Sequence, residues 1–369
     1  MVFNINGAKS HNNVLSFSEN SFFSYNLGYL PEGCKYCVQG RKTVVYITGL
    51  CPRQCYYCPL SEQKKDKDVM FANEKQIYDS NEVVEECKLS SSTGVGITGG
   101  DPLLTLDRTI DCIKLLKTEF GNDFHIHLYT SLDLLEKESL QKLFDSGLDE
   151  IRVHPDLYDK KLWPRIKLLS EFDWDFGIEI PAIPGREEFV KDLLNTYYNF
   201  IQFINLNEFE YSDTNNDALH EHNYFCISED TYAIKGSNSS AFEIMSYVQE
   251  NLSKLRVHFC TAKLKDATQI SNRLKLRSKN IAKNLDVVDE EGMLIRGVIK
   301  TNDFDFIETL AEKYDIPDTL IEADEERSQI LIAGWVLEEI AKDLDFKCEL
   351  VTEYPTADRM IVEVLPLNY

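Results

Sequence analysis

Between Val44 and Phe209, six short apolar runs alternate with amphipathic stretches, and this alternation is the tightest constraint on what the chain can fold into. The runs are Val44–Thr48, Gly94–Thr98, His125–Thr130, Glu150–His154, Phe176–Ile180 and Phe203–Phe209, all of strand length. Between them the patterning predicts helices over Asn81–Leu89, Leu106–Glu119, Lys137–Asp145, Leu162–Glu171 and Glu187–Phe200. Gly121, Gly147 and Gly185 punctuate the junctions, as helix stops and turn residues do. Strand–helix alternation of this kind predicts the α/β class: a parallel sheet with helices outside, as in a partial (β/α)6 TIM-type barrel. In such barrels the chemistry sits at the C-terminal ends of the strands.

Directly after the first run comes Gly49-Leu-Cys-Pro-Arg-Gln-Cys-Tyr-Tyr-Cys-Pro59. Its C-x3-C-x2-C spacing offers three thiolates, Cys51, Cys55 and Cys58, from one tight loop. An iron–sulfur cubane takes four ligands, so three leave one iron open to a small molecule. Zinc is the competing reading, but it generally takes paired C-x2-C units with two further ligands.

Bulk properties agree with an enzyme of this kind. At 369 residues and 42.5 kDa the chain can bury one large core and a smaller second one. No apolar run is long enough to span a membrane, and the opening Met-Val-Phe-Asn-Ile-Asn-Gly lacks a secretory pattern, so the expected compartment is the cytoplasm. There, ten cysteines argue for metal binding or redox chemistry and against a disulfide framework. A net charge of −23 disfavours non-specific nucleic-acid binding. Most of that charge lies at the end: from Asp286 onward there are 22 Asp/Glu against 7 Lys/Arg.

Other motifs cluster at the expected strand ends. Gly99-Gly100-Asp101-Pro102 closes the second run; glycines admit a close backbone approach, and the carboxylate can bind an ammonium group. His125, His127 and Tyr129 share one strand face, and Thr130 and Ser131 end that strand. Further polar strand positions are Arg152, His154, Glu179, Asn207 and Glu208, each needing a polar cavity or a structural partner. Cys34-Lys-Tyr-Cys37 precedes the first strand and is half of a metal site; Cys260, His258 or Cys226 would have to complete it. The stretch 263–283 carries seven basic residues and one acid, and its expected role is to neutralise the acidic end of the chain.

The cysteine loop, with Tyr57 just before its last cysteine, resembles the cluster loop of the radical S-adenosylmethionine (radical SAM) superfamily. Gly99-Gly100-Asp101-Pro102 is similar to that superfamily's Gly-Gly-Glu-Pro element, with Asp one methylene shorter than Glu. The resemblance covers about residues 40–210 and is nearest to archaeal proteins related to pyruvate formate-lyase activating enzymes. It implies a [4Fe–4S] cluster on Cys51, Cys55 and Cys58, with S-adenosylmethionine (SAM) on the open iron. It also implies SAM-binding roles for Tyr57, Gly99, Gly100, Asp101, Thr130, Ser131, His154 and Glu179, and reductive cleavage to a 5′-deoxyadenosyl radical. Its implied partners are a ferredoxin- or flavodoxin-like electron donor and a small-molecule, peptide or protein substrate. Glycyl-radical-enzyme activation and RNA or peptide modification are alternatives, as is a non-enzymatic iron–sulfur or zinc scaffold. A second metal, zinc or an auxiliary cluster, would fall on Cys34, Cys37 and Cys260. The expected organisation is an N-terminal extension (1–40), a core barrel (41–262), a basic helix or linker (263–285) and an acidic α+β domain (286–369). In that last unit the pattern predicts strand Met293–Lys300, helix Phe304–Lys313, a strand near Leu320, helix Ser328–Leu344 and strands Phe346–Thr352 and Met360–Leu365.

Overall fold

A computed structural model describes residues 17–229 and 231–368; the first sixteen residues of the expected N-terminal extension, including the opening segment, lie outside the described residues. The strands of the larger sheet are β1 (Tyr25–Leu27), β2 (Lys42–Tyr46), β3 (Met70–Ala72), β4 (Lys75–Ile77), β5 (Gly94–Thr98), β6 (His125–Ser131), β7 (Glu150–His154), β8 (Asp175–Pro181), β9 (Phe203–Asn207) and β10 (Arg256–Cys260). They run in the order β1-β10-β9-β8-β7-β6-β5-β2-β3-β4. From β10 to β2 every pairing is parallel, while β1, β3 and β4 add antiparallel edges. The expected partial barrel is present, with β10 as one parallel strand beyond the six of the alternating core.

The two faces of this sheet differ sharply. Val45, Ile97, Ile126, Leu128, Ile151, Val153, Ile178 and Ile204 are buried on one face, against a shell that includes Ile113 and Leu116 of helix Leu106–Phe120 and Leu193 of helix Glu187–Tyr197. A parallel sheet buried this way is held by apolar side chains on its helix-covered face. On the other face, register aligns His127 with Glu150, Tyr129 with Arg152, and Glu179 with Asn205 and His258. The hollow of the barrel is therefore polar.

A short helix, α1 (Glu32–Val38), closes this hollow by packing across β2, β5 and β6. Inside it the Arg152 guanidinium is buried and uses four of its five donors: Nε donates to Glu150 at 2.5 Å, Nη1 to Glu179 at 2.8 Å and to the Tyr129 hydroxyl at 3.3 Å, and Nη2 to Cys34 Sγ at 3.4 Å. Gly33 donates its N–H to Glu150 at 3.0 Å. A Cβ on Gly33 would stand 2.7 Å from both Arg152 Nη2 and His127 Nδ1, so only glycine lets α1 lie this close.

A second sheet follows, made of β11 (Val287–Val288), β12 (Leu294–Lys300), β13 (Ile321–Asp324), β14 (Gln329–Ile332), β15 (Lys347–Glu353) and β16 (Ile361–Pro366), in the order β13-β14-β12-β15-β16 with β11 on β12. It has its own apolar core, including Ile299, Leu310, Ile330 and Leu337. One predicted element differs in the structure. The run 328–344 is not one helix: Gln329–Ile332 is a fully buried strand paired with both β13 and β12, and the helix starts only at Gly334. Burial on both faces overrides helical periodicity in so short an apolar run.

The basic stretch forms a helical arm whose cations pair mainly with the barrel, not with the acidic end. Arg273 binds Glu74, Arg277 binds the buried Glu86, Lys265 binds Glu210, and only Lys283 reaches Glu322 in the second sheet. Arg277 also donates to the Pro355 carbonyl, so one buried guanidinium joins the second unit to the barrel.

Two outcomes follow from the buried polar face. Gly33→Ala is expected to cost about 1–3 kcal/mol by overpacking α1 against Arg152, read as a lower denaturation midpoint with an unchanged slope. His258 donates or accepts only within the hollow, to Asn205 at 2.6 Å and Ser24 at 3.2 Å, and burial drives its imidazole down to about 3. Below about pH 6.5 the unfolded chain then takes up a proton that the folded chain refuses, so this contribution is whole at neutral pH and declines on acidification. It should amount to roughly 2 kcal/mol lost by about pH 5, and His258→Asn should flatten the measured pH dependence of stability by that amount.

Candidate active site

The cysteine loop leaves the end of β2 and is tied down on three sides. From β5, the Gly100 N–H donates to the Thr48 carbonyl at 2.7 Å and the Asp101 N–H to the Leu50 carbonyl at 2.8 Å. A Cβ on Gly99 would run into the Thr48 carbonyl, and one on Gly100 into that of Leu50. The paired glycines thus let two backbones touch, seating the loop on the neighbouring strand end. From β7, Arg53 donates to the His154 carbonyl at 2.8 Å and pairs with Asp156 at 3.0 Å. From the segment after β9, Asn215 donates to the Tyr57 carbonyl at 3.1 Å and Thr214 to that of Leu60 at 2.6 Å.

So held, Cys51, Cys55 and Cys58 all line one cavity of about 500 Å³ at the C-terminal ends of β2, β5, β6 and β7. Tyr57, Gly99, Gly100, Tyr129, Thr130, Ser131 and His154 line the same cavity, so ten residues singled out in the sequence converge there. Among the described residues no three His, Cys, Asp or Glu side chains are arranged around a single metal ion. Burial pushes Cys51 up to about 11 and raises Cys55, so both favour the thiol until a metal ion stabilises the thiolate. The three sulfur donors and the roomy cavity beside them fit an iron–sulfur cluster with an open iron.

His154 bridges cavity and hollow. Burial and the nearby Arg53 lower it to about 4, so it is neutral at physiological pH. Its Nδ1 faces the Glu179 carbonyl at 3.0 Å and must donate; its Nε2, 2.9 Å from the Tyr57 hydroxyl, therefore accepts from it.

Two expected ligand-binding residues stand elsewhere. Asp101 is fully buried and outside the cavity lining. Its Oδ1 accepts from Thr130 Oγ1 at 2.8 Å and the Leu103 N–H at 3.1 Å; its Oδ2 accepts from Ser131 Oγ at 2.6 Å and N at 3.0 Å. With four donors on one carboxylate, nothing remains for a ligand ammonium group. Being one methylene shorter than Glu, the side chain is held beneath the cavity floor. Glu179 lies in the hollow, accepting from Arg152 and from Asn207 at 3.0 Å.

The three cysteines expected at a second metal site have other neighbours here. Cys34 Sγ is 3.4 Å from the Arg152 guanidinium, whose positive charge repels a metal cation, and burial keeps its thiol protonated. Cys37 is raised by burial as well, and Cys260 packs with Val38 and Leu264 in a small apolar cluster. Residues that sequence reasoning missed are Arg53, Thr214 and Asn215. Arg53 was visible as a cation between two ligand cysteines; the other two sit in a polar stretch without periodicity.

Comparison with known proteins agrees with this geometry. Residues 45–197 match the radical SAM superfamily, and residues 292–367 match a domain family of unknown function, DUF8061. A Methanocaldococcus jannaschii protein provisionally named a glycyl-radical enzyme activating enzyme is 39% identical over 362 residues, covering 94% of this chain and 95% of that one. A Staphylococcus aureus GTP 3′,8-cyclase is 32% identical over 123 residues, 32% of this chain and 35% of that one. The solved structure of methylornithine synthase covers 60% of this chain and 71% of its own at 14% identity, with a TM-score of 0.40. Among the described residues no helix is long and apolar enough to cross a membrane. The chain belongs to the radical SAM superfamily and is a radical SAM enzyme, with the [4Fe–4S] cluster and SAM that this family uses.

Proposed function

We propose that Cys51, Cys55 and Cys58 hold the [4Fe–4S] cluster and that SAM would fill the remainder of the cavity, so that hydrogen abstraction from a substrate would take place beside it. The single observation that carries this reading is the convergence of the three cysteines with Gly99, Gly100, Thr130, Ser131 and His154 around one cavity. A reduced cluster bound there supplies the electron that splits SAM into methionine and a 5′-deoxyadenosyl radical. The chain's own residues supply position. Gly99, Gly100, Thr130 and Ser131 line the cavity, and Asp101 holds the hydroxyls of the last two. Neutral His154 fixes the Tyr57 hydroxyl beside the cysteine loop without adding a charge near the sulfonium.

The electron donor on this reading is a ferredoxin- or flavodoxin-type protein, and the compartment is the cytoplasm, in keeping with ten cysteines that are all free. We read residues 286–369 as a separate α+β domain, supported by its own sheet and core. RNA modification loses its main support, because the basic arm spends Lys265, Arg273, Arg277 and Lys283 on ion pairs. A second reading, activation of a glycyl-radical enzyme, is favoured by the name of the Methanocaldococcus jannaschii relative.

Anoxic reconstitution with iron, sulfide, SAM and dithionite should yield 5′-deoxyadenosine, and the triple variant Cys51→Ala/Cys55→Ala/Cys58→Ala should lose both the bound iron and the product. A full cluster that forms no 5′-deoxyadenosine would sink the reading. Asp101→Asn turns an NH2 toward the donors of Thr130 or Ser131 and should cost about 1–3 kcal/mol, seen as a weaker apparent SAM affinity. Asp101→Glu should also weaken it, since the added methylene has no room in a site this buried; tighter SAM binding in that variant would contradict the positioning role.

A further inference from the structure

We propose that the barrel mouth beside the cysteine-lined cavity is a substrate subsite for a small zwitterion of the amino-acid class. In it Lys265 receives the carboxylate, and Glu179 with Asn207 receives the ammonium group. The inference rests on the radical SAM reading above and names the substrate class of that site.

Register brings the elements together. Pro181 at the end of β8 pairs with Asn207 at the end of β9, which pairs with Cys260 at the end of β10. Asn207 Nδ2 donates to Glu179 Oε1, leaving its own carbonyl oxygen free of a partner among the described residues. From the far side, Lys265 donates to Glu210 at 2.8 Å. Lys265 opens a six-residue π-helical turn, Lys265–Ile270, from which Gln269 reaches back to Cys260 Sγ at 3.9 Å. Such turns are rare and concentrate at functional sites, because the widened turn re-aims side chains. The mouth adjoins the cavity directly: His154 lines the cavity and holds the Glu179 carbonyl, while Tyr129 lines it and bonds Arg152.

Charge selects the ligand. Arg152 has little to spare, since four of its five N–H donors already go to Glu150, Glu179, Tyr129 and Cys34. Lys265 has spent one of its three donors on Glu210, and its side chain is 32% exposed. Glu179 and Glu210 already face Arg152 and Lys265, and the buried Lys42 lies deeper, with its Nζ on His125 and the Val95 carbonyl, so Lys265 is the cation with donors left at the mouth. A triphosphate or nucleic-acid backbone needs several free cations and would be repelled here. An apolar ligand would strand the polar groups without partners. One carboxylate on Lys265 and one ammonium on Glu179 and Asn207 satisfy both ends.

The test uses the reconstituted full chain with SAM, dithionite and a uniformly deuterated mixture of the protein L-amino acids. Hydrogen abstraction from one of them should place deuterium in 5′-deoxyadenosine, read by mass spectrometry. Lys265→Met should lower the deuterated fraction by roughly tenfold or more, whereas Lys265→Arg should keep most of it, at matched iron content. The wild-type result decides the ligand class whether or not the methionine variant folds. Unlabelled 5′-deoxyadenosine with the amino acids, or deuterium arriving instead from a deuterated nucleotide mixture or a deuterated protein, would overturn the subsite. Absence of 5′-deoxyadenosine with a full cluster would overturn the radical SAM reading beneath it.

Discussion

The Arg152 guanidinium, buried at the centre of a parallel sheet, is the constraint around which the rest is arranged. A charge held away from water is tolerated only when it is paired and hydrogen-bonded, and here the partners come from four separate segments: Glu150 beside it on β7, Tyr129 on β6, Glu179 on β8 and Cys34 on α1. Satisfying one guanidinium therefore sets the relative positions of three strands and pulls the N-terminal helix into the hollow. Gly33 is the steric counterpart of that demand: with a side chain there, the helix could not come close enough for Cys34 to reach Arg152.

Closing one half of the hollow leaves the other half for chemistry. The strands' C-terminal ends stay open, and there Asp101 does for β5 and β6 what Arg152 does below, gathering Thr130 and Ser131 on one carboxylate. The cysteine loop then leans on this platform through Gly99 and Gly100. Cavity shape is thus set by two buried ionic groups, one of each sign, whose hydrogen bonds go almost wholly to the protein itself. Residues with spare hydrogen-bonding capacity lie a layer outward, where SAM and substrate would meet.

Strand and helix positions in the barrel were largely legible, because burial on one sheet face imposes a strong pattern. Gly94–Thr98, Glu150–His154, Asn81–Leu89 and Lys137–Asp145 form over the residues their patterns mark. Legibility failed where burial is two-sided, as at Gln329–Ile332, or where elements are too short for periodicity, as in β1, β3, β4 and α1. Cavity-lining residues were legible when they sat within a few positions of the cysteines or at a strand end. Arg53, Thr214 and Asn215 act through backbone carbonyls, and no residue type announces which distant carbonyl it will hold.

The sequence by itself determined the chemistry on offer: three closely spaced thiols, a glycine pair one strand later, and an alternation that folds only as a parallel sheet with helices outside. Those are properties of local spacing and period, which survive without knowledge of long-range contacts. Tertiary structure alone decided the use of each group. It turned Asp101 from an apparent ligand into a hidden brace, set Cys34 against a guanidinium where a metal cation is repelled, and brought Lys265 across from a basic arm to the barrel mouth. Each outcome depends on which partner meets a charge once water is excluded, and that is settled only when distant segments are packed together.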